Sequence, residues 1–271
     1  MVCEMSKISV GFLGTGNMGE AIIRGIAAKF GDNAEIYAYE IDSAKLEKLS
    51  EIGVKPLSCE KELCEKCKYV FLAIKPQVFE SVLPKLAETV KSDTVLISIA
   101  AGISEDYIAS VCGKEVHTVI VMPNTPFLLG EGATALAKGA YTSNEEFEVV
   151  KRIFCTGGIA EVVPMTKMKE IIAINGSSPA FIYLFAKGFV DYAKSVDIDE
   201  NTALKLFSQS LIGSAKMLTE SGKTVDELIK QVSCPGGTTI AGLNELYEGK
   251  LTEDVNAACK ACTNRAYELS K

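Results

Sequence analysis

GFLGTGNMG, residues 11–19, decides the fold of this chain. The apolar run KISVGFL (7–13) that leads into it predicts a buried strand, and the apolar periodicity of residues 17–30 predicts a helix directly after it. Three glycines with the spacing G-x-G-x-x-G therefore stand between a strand and a helix. This context is typical of a loop that binds the phosphates of a dinucleotide, although the same residues could form a plain glycine turn.

Each glycine of this loop has a separate expected role. We expect Gly14 to permit the tight turn, Gly16 to let the backbone approach a pyrophosphate, and Gly19 to let helix and strand pack closely. The helix N-terminus would then offer free N–H groups to the phosphates. The predicted cofactor residues of the loop are Gly14, Thr15, Gly16, Asn17, Met18 and Gly19.

Strand and helix patterns continue to alternate up to about residue 164, which is typical of a parallel sheet covered on both faces. Further strands are predicted at 35–40, 68–76, 94–102 and 116–126, with edge strands at 133–137 and 159–163. The helices between them are predicted at 43–53, 78–90 and 104–113. The fold class is therefore α/β, with an N-terminal Rossmann-like, doubly wound, mostly parallel sheet.

Beyond residue 164 the strand patterns disappear. Helices are predicted at 165–175, 179–196, 200–221, 225–232, 239–248 and 252–270. The sequence thus predicts a dinucleotide-binding domain at 1–164 and an all-helical domain at 165–271. Residues 179–193 are apolar around most of the helix, so we expect this helix to be buried against a second subunit.

Composition excludes several functional classes. The 271 residues carry a net charge of −7 without a basic run, which disfavours nucleic acid as a partner. No apolar run of about 18 residues predicts a membrane span, and no signal peptide is visible, so a cytoplasmic protein is expected. Two C-x-x-C pairs, Cys64/Cys67 and Cys259/Cys262, lie in helical patterns, and no metal site is expected from them.

An acidic residue ends the second predicted strand, where the adenosine ribose of a dinucleotide would lie. Glu40 stands at this point, with Asp42 as a second candidate. A carboxylate there accepts hydrogen bonds from the 2′-hydroxyl and repels a 2′-phosphate, so the sequence favours NADH over NADPH. A solvated acid at a strand end is the alternative interpretation.

Other strands end in residues that suit the same edge of the sheet, where ligands of such folds bind. The alanines after the fourth main strand are small, as a flat nicotinamide ring requires. Asn124 could bond the carboxamide of that ring or brace its own turn. The predicted cofactor residues here are Ala73, Lys75, Pro76, Ala100, Ala101 and Asn124.

A second glycine-rich stretch, SCPGGTTIAGL (233–243), separates two predicted helices. Its glycines expose backbone N–H groups at a helix N-terminus, which favours an anion. Its threonines could cap the helix or bond a ligand. From these residues alone, a capped turn and an anion-binding loop both remain open.

Six motifs, in this order, resemble the pyrroline-5-carboxylate reductase family. They are GFLGTGNMG, FLAIKPQ (71–77), SIAAGI (98–103), VMPNTP (121–126), NGSSPAF (175–181) and VSCPGGTTIAGLNEL (232–246). The resemblance implies reduction of 1-pyrroline-5-carboxylate to L-proline with NADH or NADPH. It also implies a helical domain that forms an intertwined homodimer, often assembled into a decamer.

The resemblance favours the anion-binding interpretation of the second loop. It implies substrate-binding roles for Cys234, Pro235, Gly236, Gly237, Thr238 and Thr239. The imine nitrogen needs a proton, and the resemblance points to the hydroxyl of Thr239, then that of Ser177, as the group that bonds the ring nitrogen. His117, the only histidine, is expected to be structural.

The chain departs from the family pattern at a few positions. Ser178 stands where glycine is common, and Ile120 stands where arginine is often found. Glu40, with Glu60 in a neighbouring loop, replaces the small polar groups that NADPH-using members place near the ribose.

Other functions stay open at this point. The chain could be a related imine reductase or a 2-hydroxyacid dehydrogenase, for which Lys187 on the long helix is the candidate catalytic lysine. It could also be a dinucleotide sensor without catalysis.

Overall fold

The computed structural model describes residues 7–269 and contains an eight-stranded sheet with the order β3-β2-β1-β4-β5-β6-β7-β8. The strands are β1 (Ile8–Leu13), β2 (Ala34–Tyr39), β3 (Lys55–Pro56), β4 (Tyr69–Leu72), β5 (Val95–Ser98), β6 (His117–Met122), β7 (Gly132–Lys138) and β8 (Gly158–Val162). Only the β6–β7 pair is antiparallel. The mostly parallel, doubly wound sheet is confirmed.

The central strands are buried on both faces, as parallel strands covered by helices must be. Every residue of β4 and β5 is buried. On one face Phe12 stacks on Phe71 with ring centroids 4.5 Å apart, and Phe154 packs beside them. Apolar cores are buried on both sides of the sheet. Because β1, β2, β4, β5 and β6 run parallel, their carboxyl ends lie along one edge.

Six α-helices accompany this sheet in the described residues. They are α1 (Asn17–Phe30), α2 (Ser43–Ser50), α3 (Lys61–Lys66), α4 (Phe79–Ala87), α5 (Glu105–Cys112) and α6 (Asn144–Phe154). The helix predicted at 78–90 is α4, and a 3₁₀ turn over Pro76–Val78 precedes it, with Pro76 at a first position that needs no N–H donor. The sequence patterns missed β3, which has only two residues and lies at the edge of the sheet.

The chain divides into two compact units. Among the described residues, the first contains 7–177 and 262–269, and the second contains 178–261. These units differ in extent from the predicted domains 1–164 and 165–271, since the last helix contributes residues to both. The functional division into those domains stays a prediction.

Five helices follow the sheet. They are α7 (Ser178–Ser195), α8 (Glu200–Glu220), α9 (Val225–Gln231), α10 (Thr238–Glu248) and α11 (Leu251–Leu269). Within the second unit α7 packs against α8, and Phe189 stacks on Phe207 with ring centroids 4.1 Å apart. In the described part of the chain, no helix has the length and apolarity that a membrane span requires.

The prediction of a regular helix over 165–175 is wrong. The segment is a 3₁₀ turn at Met165–Lys167, followed by a π-helix at Ile172–Gly176. The N–H of Ser177 donates to the carbonyl of Ile172 over 2.8 Å, five residues back. Apolar periodicity cannot distinguish a π-turn from an α-turn, because both place similar residues on the buried side.

Candidate active site

The predicted phosphate loop lies between β1 and α1, at the carboxyl edge of the sheet. Gly14 has φ +91°, and its N–H donates to the carbonyl of Tyr39 over 2.9 Å. A Cβ at Gly14 would lie 2.8 Å from the carbonyl oxygen of Ala73, and a Cβ at Gly19 would lie 2.9 Å from that of Gly14. Both glycines are therefore required by the chain's own packing.

Gly16 differs from its two neighbours in the motif. Its φ of −64° suits any residue, and a Cβ there would meet no atom within 4 Å. It is the N-cap of α1 and carries no side chain that could cap the first N–H groups. Nothing in the fold of the chain requires a glycine at this position, whereas a ligand lying against these N–H groups would.

Glu40 follows β2 and accepts hydrogen bonds from two directions. One carboxylate oxygen, Oε2, accepts from the N–H of Thr15 at 2.8 Å and from its hydroxyl at 3.2 Å. The other, Oε1, accepts from the N–H groups of Ile41 at 3.0 Å and Asp42 at 3.2 Å. Partial burial opposes ionisation, but these donors hold the pKa of Glu40 below its ordinary value. The carboxylate is a fixed anion beside the phosphate loop.

The two other acids considered near the ribose have structural tasks. Asp42 is the N-cap of α2, where Oδ1 accepts from the N–H of Ala44 over 3.1 Å. Glu60 is buried and lies 3.1 Å from Nζ of Lys85. Of the three acids, Glu40 alone touches the phosphate loop.

The remaining predicted cofactor residues follow adjacent parallel strands. Ala73 follows β4 and donates its N–H to the carbonyl of Leu13 over 2.9 Å, while Lys75 is exposed and caps the 3₁₀ turn that begins at Pro76. Ala100 and Ala101 form the turn after β5. The order of the strands brings these positions to the same edge as the phosphate loop.

The loop residues Asn17 and Met18 begin α1 differently. Asn17 is exposed at the first helical position, whereas Met18 packs against the core. The backbone of Met18, rather than its side chain, is thus the part that faces the open end of the helix.

A cavity of about 400 Å³ opens at the ends of β5 and β6 within the first unit. Its walls include Ile120 and Met122 from β6, Ala100 from the turn after β5, and Met168 and Tyr267. The first unit therefore contains an open cavity beside the predicted nicotinamide position. Ile120, which the sequence marks as a departure from arginine, contributes an apolar side chain to a wall that also contains Glu105 and Lys169.

Asn124 braces its own turn by closing a ring of hydrogen bonds with Asn175. The N–H of Ala133 donates to Oδ1 of Asn124 over 2.9 Å, and Nδ2 of Asn124 donates to the carbonyl of Asn175 over 3.1 Å. Nδ2 of Asn175 donates to the carbonyls of Ala133 at 3.0 Å and Met122 at 2.7 Å. Of the two roles predicted for Asn124, these contacts favour bracing of the turn over bonding of the carboxamide.

Sequence reasoning missed Asn175, although it begins the NGSSPAF motif. The π-helix that contains it leads directly to the predicted catalytic residue Ser177. A Cβ at Gly176 would lie 3.5 Å from the sulfur of Met122, so this segment lies against the carboxyl end of β6. The structure thereby brings Ser177, which is half-buried, to the edge that carries the predicted cofactor residues.

The second glycine-rich loop lies in the second unit. Gly236 has φ +72°, and Gly237 donates its N–H to the carbonyl of Cys234 over 3.0 Å. The helix α10 begins at Thr238 and is capped by Gly237 without a side-chain hydrogen bond. The threonines are thus the first helical residues, one position earlier than predicted, and do not cap the helix. Thr238 and Thr239 are both exposed, beside N–H groups that the helix leaves free.

Cys234, Pro235 and Gly236 of this loop and the candidate lysine are also exposed, whereas Gly237 is half-buried. Pro235 and Cys234 lie at the surface of the second unit. Lys187 forms an ion pair with Asp191, one turn along α7. The chain therefore supplies Lys187 with a structural partner of its own.

His117 lies at the amino end of β6, where Nδ1 is 2.8 Å from Oε2 of Glu146. Among the described residues, no group of three metal-ligating side chains was found. Burial raises the pKa of the Cys64 and Cys67 thiols to about 12, so they stay protonated near neutral pH.

Two family models match separate parts of the chain. Residues 166–269 match a model described as pyrroline-5-carboxylate reductase dimerisation. Residues 9–102 match a model described as NADP oxidoreductase, coenzyme F420-dependent.

Known proteins resemble the chain over nearly its full length. The pyrroline-5-carboxylate reductase of Escherichia coli (strain K12) is 32% identical over 97% of this chain and 98% of that protein. The structure of a pyrroline-5-carboxylate reductase from Coxiella burnetii superimposes with a TM-score of 0.91, at 29% identity, over 98% of this chain and 100% of that one. The Plasmodium falciparum pyrroline carboxylate reductase, solved with NADP bound, gives a TM-score of 0.87 at 28% identity, over 98% of this chain and 100% of that one.

Proposed function

The chain belongs to the pyrroline-5-carboxylate reductase family, and we propose that it reduces 1-pyrroline-5-carboxylate to L-proline by hydride transfer from a reduced nicotinamide dinucleotide. The observation that carries the proposal is Gly16. Close contacts within the chain explain why Gly14 and Gly19 must be glycines, but no such contact explains the glycine at position 16. A dinucleotide phosphate at the N-terminus of α1 supplies that explanation.

We propose NADH as the preferred cofactor because of Glu40. Its carboxylate is held ionised beside the phosphate loop by donors from Thr15, Ile41 and Asp42. A ribose 2′-hydroxyl can donate to such a group, whereas a 2′-phosphate would meet a fixed negative charge. The Plasmodium falciparum relative binds NADP, so the preference rests on this chain's own residues and not on the family.

The reaction requires the chain to bind an anionic ring, keep the imine nitrogen protonated and exclude water. The bound nicotinamide supplies the hydride that attacks the imine carbon. In the second unit, the free N–H groups at the start of α10 suit the substrate carboxylate. We assign the hydroxyl of Thr239 as the first candidate for the group that bonds the ring nitrogen and passes a proton to it through water, with the hydroxyl of Ser177 as the second candidate. The rate enhancement then comes mainly from positioning.

For the assembly, we propose a homodimer formed through the helical region, with a decamer as the higher assembly. The support is the match of residues 166–269 to a dimerisation model, together with the exposed apolar side chains of α7. A cytoplasmic location remains our expectation for an enzyme of this kind.

The test is steady-state oxidation of NADH and NADPH by the purified protein with 1-pyrroline-5-carboxylate. We expect turnover with both and a higher kcat/KM with NADH. Thr239→Val keeps the shape of the side chain but removes the hydroxyl, and should lower kcat about a hundredfold. Thr239→Ser should retain most of the activity, because it keeps the hydroxyl.

Other outcomes would select the competing hypotheses. Activity on a 2-hydroxyacid that is lost in Lys187→Met, without turnover of the cyclic imine, would indicate a hydroxyacid dehydrogenase. Nucleotide binding without hydride transfer to any imine would indicate a sensor.

A further inference from the structure

The segment before Ser177 is held by an unusual element. In the π-helix Ile172–Gly176, the chain makes one wider turn, and the N–H of Ser177 reaches back five residues to Ile172. Such turns are rare and are found frequently at functional sites, because the wide turn redirects the side chains next to it. The residue that directly follows this turn is the predicted catalytic serine.

Asn175 ties this turn to the sheet. The two hydrogens of Nδ2 go to two carbonyls, one at the end of β6 and one in β7, and its own carbonyl accepts from Asn124. Three separate segments of the chain thus meet at one amide. Because Nδ2 has two acceptors, the orientation of the amide is fixed.

The arrangement is not optimal for stability. Asn175 is 8% exposed, and its Oδ1 has no hydrogen-bond partner among the described residues. A buried unsatisfied acceptor costs free energy. Such a group in a folded protein calls for an explanation, and a functional demand on the geometry of the amide is one.

We propose that Asn175 is a positioning residue for the reaction, because it holds the π-helix against β6 and β7 and so sets where the hydroxyl of Ser177 stands. The inference rests on the proposed function, in which Ser177 bonds the ring nitrogen of the imine. Asn175 itself does not touch the substrate.

The first experiment compares Asn175→Ala with the wild-type protein. We expect kcat/KM for the cyclic imine to fall about tenfold to a hundredfold, which is the range for a misplaced reactive group. The dissociation constant for NADH, measured by fluorescence titration without substrate, should stay unchanged, because the phosphate loop and Glu40 are not involved. If the alanine variant does not fold, Asn175→Ser gives the same test with a smaller change.

The matched control is Thr142→Val. The hydroxyl of Thr142 is buried and donates to the carbonyl of Thr118, near the amino end of β6, over 2.6 Å. Like Asn175→Ala, this variant loses a buried side-chain hydrogen bond to a carbonyl of β6. The carbonyl concerned lies at the opposite end of β6 from the segment that contains Ser177. It should lose comparable stability and keep wild-type kinetics. Equal kinetic losses in Thr142→Val and Asn175→Ala would overturn the inference.

A double-mutant cycle with Ser177→Ala separates positioning from general damage. If Asn175 acts through the serine hydroxyl, Asn175→Ala should cost little further activity once that hydroxyl is removed. Additive losses would show that Asn175 acts independently of the Ser177 hydroxyl, and would overturn the inference. Wild-type kinetics in Ser177→Ala would remove both the role of Ser177 and this inference, while continued turnover of the imine would leave the reductase assignment standing.

Discussion

Glu40 joins the end of β2 to the phosphate loop through its hydrogen bonds with Thr15, and our proposal assigns the choice between NADH and NADPH to this carboxylate. Glu40→Gln keeps the size of the side chain but replaces an acceptor-only anion with a neutral amide. We expect the ratio of kcat/KM for NADH to that for NADPH to fall about thirtyfold, equivalent to about 2 kcal/mol for a charged hydrogen bond. Thr15→Val, which removes one of the donors to Oε2, should produce a smaller fall in the same direction.

The pH dependence of this preference follows from the lowered pKa of Glu40. The folded protein favours the charged form of Glu40. The NADH preference is therefore fully present above the ordinary glutamate pKa of about 4.3, and it is lost as the pH falls through the lower pKa that Glu40 has in the folded protein. The NADH preference should therefore be flat from about pH 6 to pH 9. If the NADH preference instead changed between pH 6 and pH 8, a group other than Glu40 would be responsible for it.

Gly16 and Gly19 give a second prediction at this scale. Gly16→Ala adds a Cβ that meets no atom of the chain, so stability should be unchanged while NADH binding weakens at least about tenfold through contact with the phosphates. Gly19→Ala is the contrasting variant, since its Cβ would press on the carbonyl of Gly14 and lower stability. Thermal denaturation and NADH titration measure the two effects separately. Undiminished NADH binding by Gly16→Ala would contradict the proposed phosphate site.

Single residues were predictable where a short motif determines the backbone. The glycine spacing located the loop, and the position after β2 located Glu40. Asn175 escaped prediction because its role depends on carbonyls at Met122 and Ala133, both of which are distant in sequence. The sequence offered bracing as one of two roles for Asn124, but it could not name the partners, Ala133 and Asn175.

At the scale of elements, α6 depends on one buried carboxylate. Glu146 is 6% exposed and accepts from the N–H of Ser143 at 3.0 Å in a capping box. It also lies 3.1 Å from Nζ of Lys68 and 2.8 Å from Nδ1 of His117. Burial opposes its ionisation, yet the Ser143 N–H and the two basic groups hold the pKa of Glu146 below its ordinary value.

We expect Glu146→Gln to lower the free energy of unfolding at pH 7 by about 2 kcal/mol, since two basic groups lose a buried anionic partner. The loss should shrink in acid, because the stabilising charge is present above about pH 4.3 and disappears as pH falls through the lowered folded pKa. Urea denaturation at pH 7 and pH 4 measures both. The exposed neighbour Glu145→Gln is the control and should change stability by less than about 0.5 kcal/mol.

Helices with strong periodicity and caps were predicted well, and the exceptions have physical causes. The Ser104 cap of α5 and the long α8 lie where the patterns place them. The segment 165–175 differs because contacts with the sheet select a π-turn over an α-turn there. At α10 the pattern locates the glycines but not the helix start, which the φ +72° turn at Gly236 moves to Thr238.

At the scale of the whole molecule, α7 leaves large apolar side chains uncovered. Tyr183, Leu184 and Tyr192 are all exposed, with Leu184 at 70%. The sequence predicts a helix buried against a second subunit, and in the single chain this helix is indeed apolar and uncovered. Monomeric proteins rarely expose contiguous apolar surface of this kind. The described chain therefore has the surface expected of one subunit of an assembly, consistent with its match to a dimerisation model.

Leu184→Asp tests this conclusion. A carboxylate at the centre of an apolar subunit contact would be buried without a partner, which costs several kcal/mol and should shift the protein to monomers. Light scattering coupled to size exclusion measures the mass of each variant. Tyr141→Asp, an equally drastic change at an exposed position before α6, is the control and should keep the wild-type mass.

The same variant separates assembly from folding. If the subunits stabilise one another by mass action, the wild-type midpoint of thermal unfolding should rise with protein concentration, and that of Leu184→Asp should not. A wild-type protein that is monomeric at micromolar concentration, with a midpoint independent of concentration, would mean that α7 is covered by something other than a second copy of the chain. If Leu184→Asp remained a dimer, the subunits would have to meet through another face of the helical region.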